Sequence, residues 1–502
     1  MDEPLLFPTY RLPADLLGDV QRMNPWWTGN PQRPLPATRR HLVGMIHRRL
    51  EARLAQIVVV RGPRQVGKTT ALRHVIQDLL DRGVPPRHIF AIQFDELTGL
   101  GETGSGEPVL RLVDWYERAV LGSTLNEIAH AKGETYLVFD EVQNLDNWAP
   151  QLKFLVDHSA TRALVTGSSA LRIEAGRDSL AGRITTIEVG VLSLTEIAAF
   201  RGRDLGPPAL ADNGLEVLKE KGFWQDLASR GQRIQVERDE SFRLFSARGG
   251  YPLAHEQVDV PWPHLADQLN ETVIQRVIQH DLRVGERGRK RDPQLLEALF
   301  RLACRYAGQT PGVQLLGREV QRALAGDIGI QRVRHYLRFL ADTLLIRLVP
   351  PLEIRLKRSR GNPKICLADH ALRASWLQEI VPLDPAALAQ EPALTTEAGH
   401  LAESVVGATL SSIPGLDVAH VPERSGDPEV DFVLSVGMLR IPMEVKYQRR
   451  IDPLRDTEGL RTFMERAVNR APFGLLIVQV DGTAIDDPRL VVVPLSSLML
   501  LR

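Results

Sequence analysis

The segment that most constrains the fold is a run of β-branched residues followed at once by a glycine-rich turn. The run Ile57-Val-Val-Val-Arg leads into a turn with the spacing Gly62-x4-Gly67-Lys68-Thr69. Glycines let backbone N–H groups curl around phosphate oxygens, and the N-terminus of a following helix adds positive potential. The spacing therefore predicts a buried strand, a phosphate-binding turn and a helix over residues 68–82.

The residues of this turn have predicted roles at a bound nucleotide. Lys68 would reach the β- and γ-phosphates, and Thr69 would ligate Mg²⁺. The residues expected to contact ATP are Gly62, Pro63, Arg64, Gln65, Val66, Gly67, Lys68, Thr69 and Thr70. The predicted cofactors are therefore ATP and Mg²⁺.

A second apolar run ends in two acids. In Tyr136-Leu-Val-Phe-Asp140-Glu141, a buried parallel strand would deliver both carboxylates to its C-terminal edge, where ligands bind in α/β folds. Asp140 would join the Mg²⁺ shell, and Glu141 would polarise the attacking water.

Three further residues are candidates for catalysis after the next strand. Ser168 either senses the γ-phosphate or caps a helix. Arg177 and Arg183 either reach the nucleotide of a neighbouring copy as an arginine finger or form salt bridges within the chain.

The segment from Arg276 to Lys364 carries 19 basic and 8 acidic residues, although the whole chain has 62 of each. Helices at about 293–307, 315–324 and 330–342, followed by a hairpin, have the order of a winged helix. A basic module of this kind is expected to bind duplex or branched DNA, or else to serve as a packing domain. The candidate DNA contacts are Arg332, Arg334, Arg338, Arg355, Lys357, Arg358 and Arg360, and Lys364 belongs to the same basic hairpin.

The chain resembles a prokaryotic family of AAA+-superfamily ATPases whose C-terminal domain has long been labelled as of unknown function. The strings that carry the resemblance are Arg-Gly-Pro-Arg-Gln-Val-Gly-Lys-Thr-Thr, Phe-Asp-Glu-Val-Gln, Thr-Gly-Ser-Ser, Gly249-Gly-Tyr-Pro and Lys364-Ile-Cys-Leu-Ala-Asp369. One departure is Asp369-His-Ala, where the family often has Asp-Thr-Gly. The resemblance implies an oligomeric ATPase, with a hexamer as the candidate stoichiometry.

The C-terminal domain of that family resembles PD-(D/E)XK nucleases. Asp431 follows a strand, and alternation along the next strand puts Glu444 and Lys446 on one face. Glu403 on the preceding helix adds a third carboxylate. The resemblance implies a second Mg²⁺ site in which Lys446 lowers the pKa of a metal-bound water. The alternative is a degenerate module that is kept for binding or assembly.

The expected fold class is a multidomain α/β chain, since 502 residues are too many for one ordinary domain. We predict an irregular N-terminal arm (1–40), a parallel-sheet P-loop ATPase core (41–195), a helical lid (196–285), a winged-helix-like basic domain (286–375) and a restriction-endonuclease-like α/β domain (376–502). No stretch approaches the ~20 apolar residues of a membrane span. Two cysteines, Cys304 and Cys366, cannot build a disulfide scaffold, which favours the cytoplasm.

The expected function is a Mg²⁺-dependent ATPase that binds DNA and couples hydrolysis to DNA remodelling or processing. Two alternatives stay open at this point. One is a regulatory switch without motor action, and the other is an ATP-gated nuclease.

Overall fold

The computed structural model describes residues 12–30, 33–97, 107–145, 147–167, 180–212, 214–279, 292–324, 328–353, 361–423 and 428–502. Contacts divide the chain into two units. The first comprises residues 1–62 and 67–189, and the second comprises residues 63–66 and 190–502. No helix in the described ranges is long and apolar enough to cross a membrane.

The first unit is built on a parallel sheet. Its described strands are β1 (Ile57–Arg61), β2 (Ile89–Gln93), β3 (Tyr136–Asp140), β4 (Arg162–Gly167) and β5 (Ile184–Glu188). They pair in the order β2-β3-β4-β1-β5, all parallel. Strands buried on both faces are expected to be continuous apolar runs, and every residue of β3 is buried. The predicted parallel sheet is confirmed.

The helices of the first unit lie between these strands and before them. Those described are α1 (Ala14–Met23), α2 (His41–Ala52), α3 (Lys68–Asp81), α4 (Pro108–Tyr116), α5 (Leu125–His130) and α6 (Trp148–His158). Helix α3 begins at the lysine of the glycine-rich turn, as the motif predicts. The apolar sides of α4 and α6 bury Leu112 and Leu152 in one core with the sheet.

The N-terminal segment was expected to be irregular, and this is wrong for residues 14–23, which form α1. Leu16 and Val20, four residues apart, are buried on one face of this helix, so an amphipathic pattern outweighs the surrounding prolines. Asn24, after the helix, donates to the carbonyl of Ala91 and accepts from its N–H, both at 2.8 Å. Since β2 is an edge strand of the sheet, these bonds occupy backbone groups that would otherwise face solvent.

Trp26 and Trp27 pack onto the sheet of the first unit. Both indole N–H groups donate to the carbonyl oxygen of Ile89, at 3.1 and 2.9 Å. The Trp27 ring also stacks on Phe90 and Tyr116, with centroids 5.9 Å apart in each case.

The second unit contains two sheets. Its described strands are β6 (Ile346–Val349), β7 (Lys364–Leu367), β8 (Asp417–Val421), β9 (Val430–Val436), β10 (Leu439–Lys446), β11 (Gly474–Val478) and β12 (Leu490–Pro494). Strands β6 and β7 form an antiparallel pair, and β8 to β12 form a mixed sheet in the order β12-β11-β10-β9-β8. Strands β8, β9 and β10 pair antiparallel, whereas β11 pairs parallel with both β10 and β12.

The second unit also contains helices. Those described are α7 (Leu194–Ala199), α8 (Lys221–Arg233), α9 (Gln235–Arg248), α10 (Pro252–Glu256), α11 (Trp262–Leu269), α12 (Arg276–Gln279), α13 (Pro293–Arg305), α14 (Val313–Leu324), α15 (Ile330–Asp342), α16 (His370–Leu377), α17 (Pro385–Leu388), α18 (Thr395–Ser411), α19 (Glu458–Glu465) and α20 (Leu495–Leu498).

Two predicted domains of this unit contain the expected order of elements. Helices α13, α14 and α15 precede the β6–β7 hairpin, and α18 precedes β8, β9 and β10, with α19 and β11 after them. Strand β12 lies beside β11 at one edge of this sheet. Both the winged-helix assignment and the nuclease-like assignment stay predictions, because order of elements alone does not establish either fold.

Residues of the Gly-Gly-Tyr-Pro string meet the Asp369 string inside the second unit. The carboxylate of Asp369 accepts from the N–H of Gly250 at 2.6 Å and from the N–H of Ala371 at 2.8 Å. Asp369 is therefore the N-cap of α16, so the turn lacking the family's usual Asp-Thr-Gly begins a helix. A Cβ at Gly249 would lie 2.3 Å from this carboxylate, and its φ is +71°, so glycine is needed there.

The helices of the predicted lid pack against the C-terminal sheet. Helix α8 contacts β12 and α20. Arg238 on α9, which is 1% exposed, forms an ion pair with Asp481 and donates to the hydroxyl of Ser497 at 2.8 Å. Segments predicted as separate domains thus share one buried ion pair.

Candidate nucleotide-binding site

The glycine-rich turn joins β1 to α3 in the first unit, and its two motif glycines are required by the backbone. A Cβ at Gly62 would lie 2.4 Å from the carbonyl oxygen of Val189, just after β5, so no larger residue fits there. Gly67 has a φ of +85°, in the left-handed region that disfavours a side chain. The sequence spacing therefore reflects a backbone shape, not only a chemical preference.

Lys68, the first residue of α3, is buried at the base of this turn. Its Nζ donates to the carbonyl oxygen of Gly62 at 3.0 Å and lies 4.0 Å from Oε1 of Glu141. The ammonium thus lies between the start of the turn and the acidic end of β3. From there it can exchange the Gly62 carbonyl for a phosphate oxygen.

Thr69 and Asp140 are brought together, as their predicted shared role requires. The Thr69 hydroxyl donates to Oδ2 of Asp140 at 2.6 Å, although 71 residues separate them in the chain. A hydroxyl and a carboxylate are the oxygen ligands that Mg²⁺ prefers in proteins.

A third polar residue, Thr166, completes this arrangement. Its hydroxyl donates to Oδ1 of Asp140 and accepts from the backbone N–H of Glu141 at 3.2 Å. Thr166 can reach both because β4 lies between β1 and β3 in the sheet. It was not among the predicted site residues, and the available signal was a polar residue at the end of the apolar run Ala163-Leu-Val.

Asp140 keeps an environment in which a cation is favourable. It is 4% exposed, and burial raises its pKa, whereas the hydroxyl bonds from Thr166 and Thr69 act in the opposite direction. Its direct hydrogen-bond donors here are neutral hydroxyls. The negative charge is therefore positioned by hydrogen bonds without being neutralised by them.

Glu141 follows β3 in an uncommon backbone conformation. Its φ is +54°, which for a residue with a side chain is a feature typical of functional sites. The side-chain amide of Gln143 donates to Oε2 of Glu141. Gln143 was not predicted either, although it belongs to the Phe-Asp-Glu-Val-Gln string.

Of the two arginine-finger candidates, Arg183 is among the residues that the structure describes and Arg177 is not. Arg183 forms a two-point ion pair with Asp157, with Nε 2.5 Å from Oδ1 and Nη2 2.9 Å from Oδ2. This is the salt bridge that the sequence left open as the alternative, and a role toward a neighbouring copy stays a prediction. Ser168 and Arg177 lie outside the described residues.

The residues present fit Mg²⁺ and a nucleoside triphosphate. The turn leaves no room for a Cβ at Gly62, the N-terminus of α3 follows it, and Lys68, Thr69 and Asp140 offer an ammonium, a hydroxyl and a carboxylate. This is the donor set expected for phosphate oxygens and their metal ion.

The predicted second site, in the other unit, is arranged differently. Asp431 on β9 and Glu403 on α18 lie on either side of the ammonium of Lys364, whose Nζ is 2.7 Å from Oδ1 of Asp431 and 2.6 Å from Oε2 of Glu403. Lys364 begins β7 and is 1% exposed. Although Lys364 belongs to the basic hairpin, its charge is therefore paired in the interior of the second unit.

Glu444 and Lys446 lie on one face of β10, and they pair with each other. Nζ of Lys446 donates to Oε1 of Glu444 at 2.6 Å. Burial and the nearby Asp431 raise the pKa of Glu444 to about 8. Within the described ranges, no group of three or more His, Cys, Asp or Glu side chains is arranged to hold a metal ion. The predicted metal set Glu403, Asp431 and Glu444 is thus not assembled as such.

The basic helix α15 has the amphipathic pattern expected from its sequence. Arg334 and Arg338, one turn apart, are exposed, while Val333 and Leu337 are buried. Arg332 is exposed as well and pairs with Asp292 at 3.3 Å. The remaining candidate DNA contacts, Arg355, Lys357, Arg358 and Arg360, lie outside the described residues.

Two family models match the chain. Residues 54–198 match a model described as AAA domain, and residues 239–381 match one described as domain of unknown function (DUF8612). The first match contains β1 to β5, the glycine-rich turn and the Asp140 strand. Together with the five-stranded parallel sheet, which matches an AAA+ fold, it supports a P-loop ATPase that uses ATP.

Three solved structures that are similar to this chain have low sequence identity and low TM-scores. Cdc6p from Pyrobaculum aerophilum is 12% identical, with a TM-score of 0.26 over 71% of this chain and 97% of that chain. The Drosophila ORC bound to DNA is 16% identical, with a TM-score of 0.23 over 75% and 96%. A DNA replication initiation factor is 11% identical, with a TM-score of 0.21 over 60% and 86%. Since these TM-scores are low, no conclusion about this chain rests on them. No curated protein matches it.

Proposed function

We propose that this protein is a Mg²⁺-dependent ATPase that binds DNA and couples ATP hydrolysis to DNA remodelling. The observation that carries the ATPase half is the 2.6 Å bond between Thr69 and Asp140, a carboxylate whose pKa burial raises and the nearby charge of Lys68 acts to lower. Thr69 and Asp140 are 71 positions apart in the chain, and their side chains are in direct contact, as two ligands of one metal ion need to be.

Each residue of the site has a defined task in this proposal. Backbone N–H groups of the turn and the N-terminus of α3 bind the phosphates, and Lys68 neutralises the charge of their terminal oxygens. Thr69 and Asp140 would hold Mg²⁺, which supplies charge neutralisation on the phosphate oxygens when bound. Glu141, held by Gln143, accepts a proton from the attacking water.

The DNA half of the proposal rests on α15. Arg334 and Arg338 present two exposed guanidinium groups on one helix face, and the helix belongs to a segment with eleven more basic than acidic residues. Arginines in this arrangement contact successive phosphates, so affinity should fall steeply with salt concentration.

The test measures ATPase rate without DNA and with single-stranded, duplex and four-way DNA. Stimulation by one of these forms supports coupling, and it should be lost in Arg334→Ala/Arg338→Ala. The matched control is Arg334→Lys/Arg338→Lys, which keeps both charges and should retain most of the stimulation. A slow turnover that no DNA changes would instead support a regulatory switch without motor action.

Assembly into a homo-oligomer, with a hexamer as the candidate stoichiometry, is part of the same proposal. If Arg183 acts on the nucleotide of a neighbouring copy, it must exchange Asp157 for phosphate. An equimolar mixture of Arg183→Ala and Lys68→Ala chains should then regain ATPase activity, because one mixed interface has both residues intact. Each variant alone should remain inactive.

A further inference from the structure

Lys364 forms ion pairs with Glu403 and Asp431, two carboxylates that the sequence analysis predicts as metal ligands. Its ammonium donates to Glu403 at 2.6 Å and to Asp431 at 2.7 Å, and Oε1 of Glu429 is 3.8 Å away. The lysine comes from β7 of the hairpin, whereas its two hydrogen-bonded carboxylates come from α18 and β9. A positive charge is therefore built into the cluster by the fold.

The oxygens of Asp431 are both used by protein donors. Oδ1 accepts from Lys364, and Oδ2 accepts from the backbone N–H of Val445 at 2.9 Å. A divalent ion in such a site needs directly bound carboxylate oxygens. A divalent ion that bound Oδ1 would lie beside the ammonium of Lys364, whose positive charge already neutralises this carboxylate and repels a second cation.

Glu444 does not change this conclusion. Oε1 accepts from Lys446, and Oε2 is buried without a hydrogen-bond partner among the described residues. One such oxygen is a single potential ligand, and two lysines, Lys364 and Lys446, stand next to the acids. Their charges repel a divalent cation that approaches the same carboxylates.

We propose that Lys364 is a built-in cation that takes the place of a divalent metal ion, so that this acidic cluster neither binds Mg²⁺ nor cuts DNA. The ion pairs instead fix the β6–β7 hairpin to α18 and β9. This inference is independent of the proposed ATPase, because every residue in it belongs to the second unit.

The first experiment counts Mn²⁺ ions bound by the full-length, nucleotide-free protein, using electron paramagnetic resonance. Wild type and Asp431→Asn should bind equal amounts of Mn²⁺ with equal affinity. An Mn²⁺ ion present in wild type and lost in Asp431→Asn would overturn the proposal. This measurement needs no variant at Lys364, so it decides the question even if removal of that lysine prevents folding.

The second experiment removes the internal cation. Lys364→Ala should gain an Mn²⁺ site that binds at least tenfold more tightly than any Asp431-dependent site of wild type, and the added change Asp431→Asn should abolish it. Lys153→Ala, at an exposed lysine of α6, is the matched control and should gain no site. A folded Lys364→Ala chain without a new Mn²⁺ site would contradict the proposal.

The third experiment concerns DNA cleavage. Wild type with Mg²⁺ and ATP should leave single-stranded, duplex and four-way DNA intact. Strand breaks that require Mg²⁺ and disappear in Asp431→Asn would show that Lys364 does not exclude the metal. They would leave the ATPase assignment of the first unit unaffected.

Discussion

Asp140 ends β3 in the first unit, and Asp431 lies on β9 in the second. Both aspartates are buried, but their hydrogen-bond donors differ. Asp140 accepts from the hydroxyls of Thr69 and Thr166. Asp431 accepts from the ammonium of Lys364 and a backbone N–H. Neutral donors orient a carboxylate and leave its charge for a cation, whereas an ammonium neutralises it.

This contrast shows why a set of residue types does not by itself define a metal site. Both predicted sites contain acids and a lysine, and in both a lysine lies close to them. In the first unit, Nζ of Lys68 lies 4.0 Å from Glu141 and bonds to a loop carbonyl. In the second, Nζ of Lys364 bonds directly to two carboxylates. The position of the ammonium decides whether the acids stay available.

The largest expected effect is on ATP turnover, and it distinguishes Glu141 in the first unit from Glu444 in the second. Glu141→Gln should lower ATP turnover by about 10²–10⁴-fold, since it removes a general base, while ATP binding is retained. Glu444→Gln, the same change in the second cluster, should leave ATPase turnover within about twofold. Steady-state ATPase rates with a nucleotide-binding assay measure both. Equal losses of ATPase turnover in Glu141→Gln and Glu444→Gln would show that the two acidic clusters do not differ in their part in hydrolysis.

The next effect concerns the two buried lysines and stability. Lys364→Met should lower the free energy of unfolding by about 3–5 kcal/mol, because it leaves buried carboxylates without their counter-charge. Lys68→Met removes a hydrogen bond to a carbonyl and should cost only about 1 kcal/mol, although it abolishes ATP binding. Urea denaturation gives both values. If Lys364→Met left the free energy of unfolding unchanged, the ion pairs would not be what holds the second unit together.

A third effect depends on pH. His255 and His420 are buried in the second unit, and burial lowers the pKa of each to about 4, against about 6.5 in an unfolded chain. Below pH 6.5 the unfolded chain therefore takes up protons that the folded chain does not. The second unit should lose about 2–3 kcal/mol of stability per histidine as the pH falls from 6.5 to 4.

Hydrogen exchange of β8 to β12 at pH 7.5 and 5.0 checks this pH dependence. His420→Gln, whose amide can still donate to the carbonyl of Asn362, should reduce the difference between the two pH values. His264→Gln, at an exposed histidine, is the control and should leave it unchanged. An unaltered pH dependence in His420→Gln would show that this histidine is not held neutral by the fold.

Much of the first site could be predicted from the sequence, because its parts are local. The turn from Gly62 to Thr70 is one continuous motif, and Asp140 and Glu141 directly follow an apolar run. Thr166 could not be assigned a role in the same way, since its position depends on β4 lying between β1 and β3. Strand order is a property of the assembled sheet, and the residues of one strand do not encode it.

The second cluster was harder to predict for a similar reason. Lys364 lies 39 residues before Glu403 and 67 before Asp431, in a run of basic residues that suggested a surface. A usable signal was present: Lys364 begins the short apolar run Ile-Cys-Leu and is one of only nine lysines among 62 basic residues. A charged residue at the start of a buried strand needs a counter-charge. Glu403 and Asp431, already predicted as metal ligands, were available to provide it.

The smallest expected effect tests whether the hydroxyls around Asp140 matter in the way the comparison requires. Thr166→Val removes the donor to Oδ1 of Asp140 and the acceptor for the N–H of Glu141 while keeping the shape of the side chain. We expect ATPase turnover to fall about tenfold, which corresponds to about 1.4 kcal/mol and to the loss of one or two hydrogen bonds. Thr166→Ser keeps the hydroxyl and should retain most of the activity. If valine and serine behave alike, Asp140 is positioned by the strand alone, and the neutral donors are not what distinguishes it from Asp431.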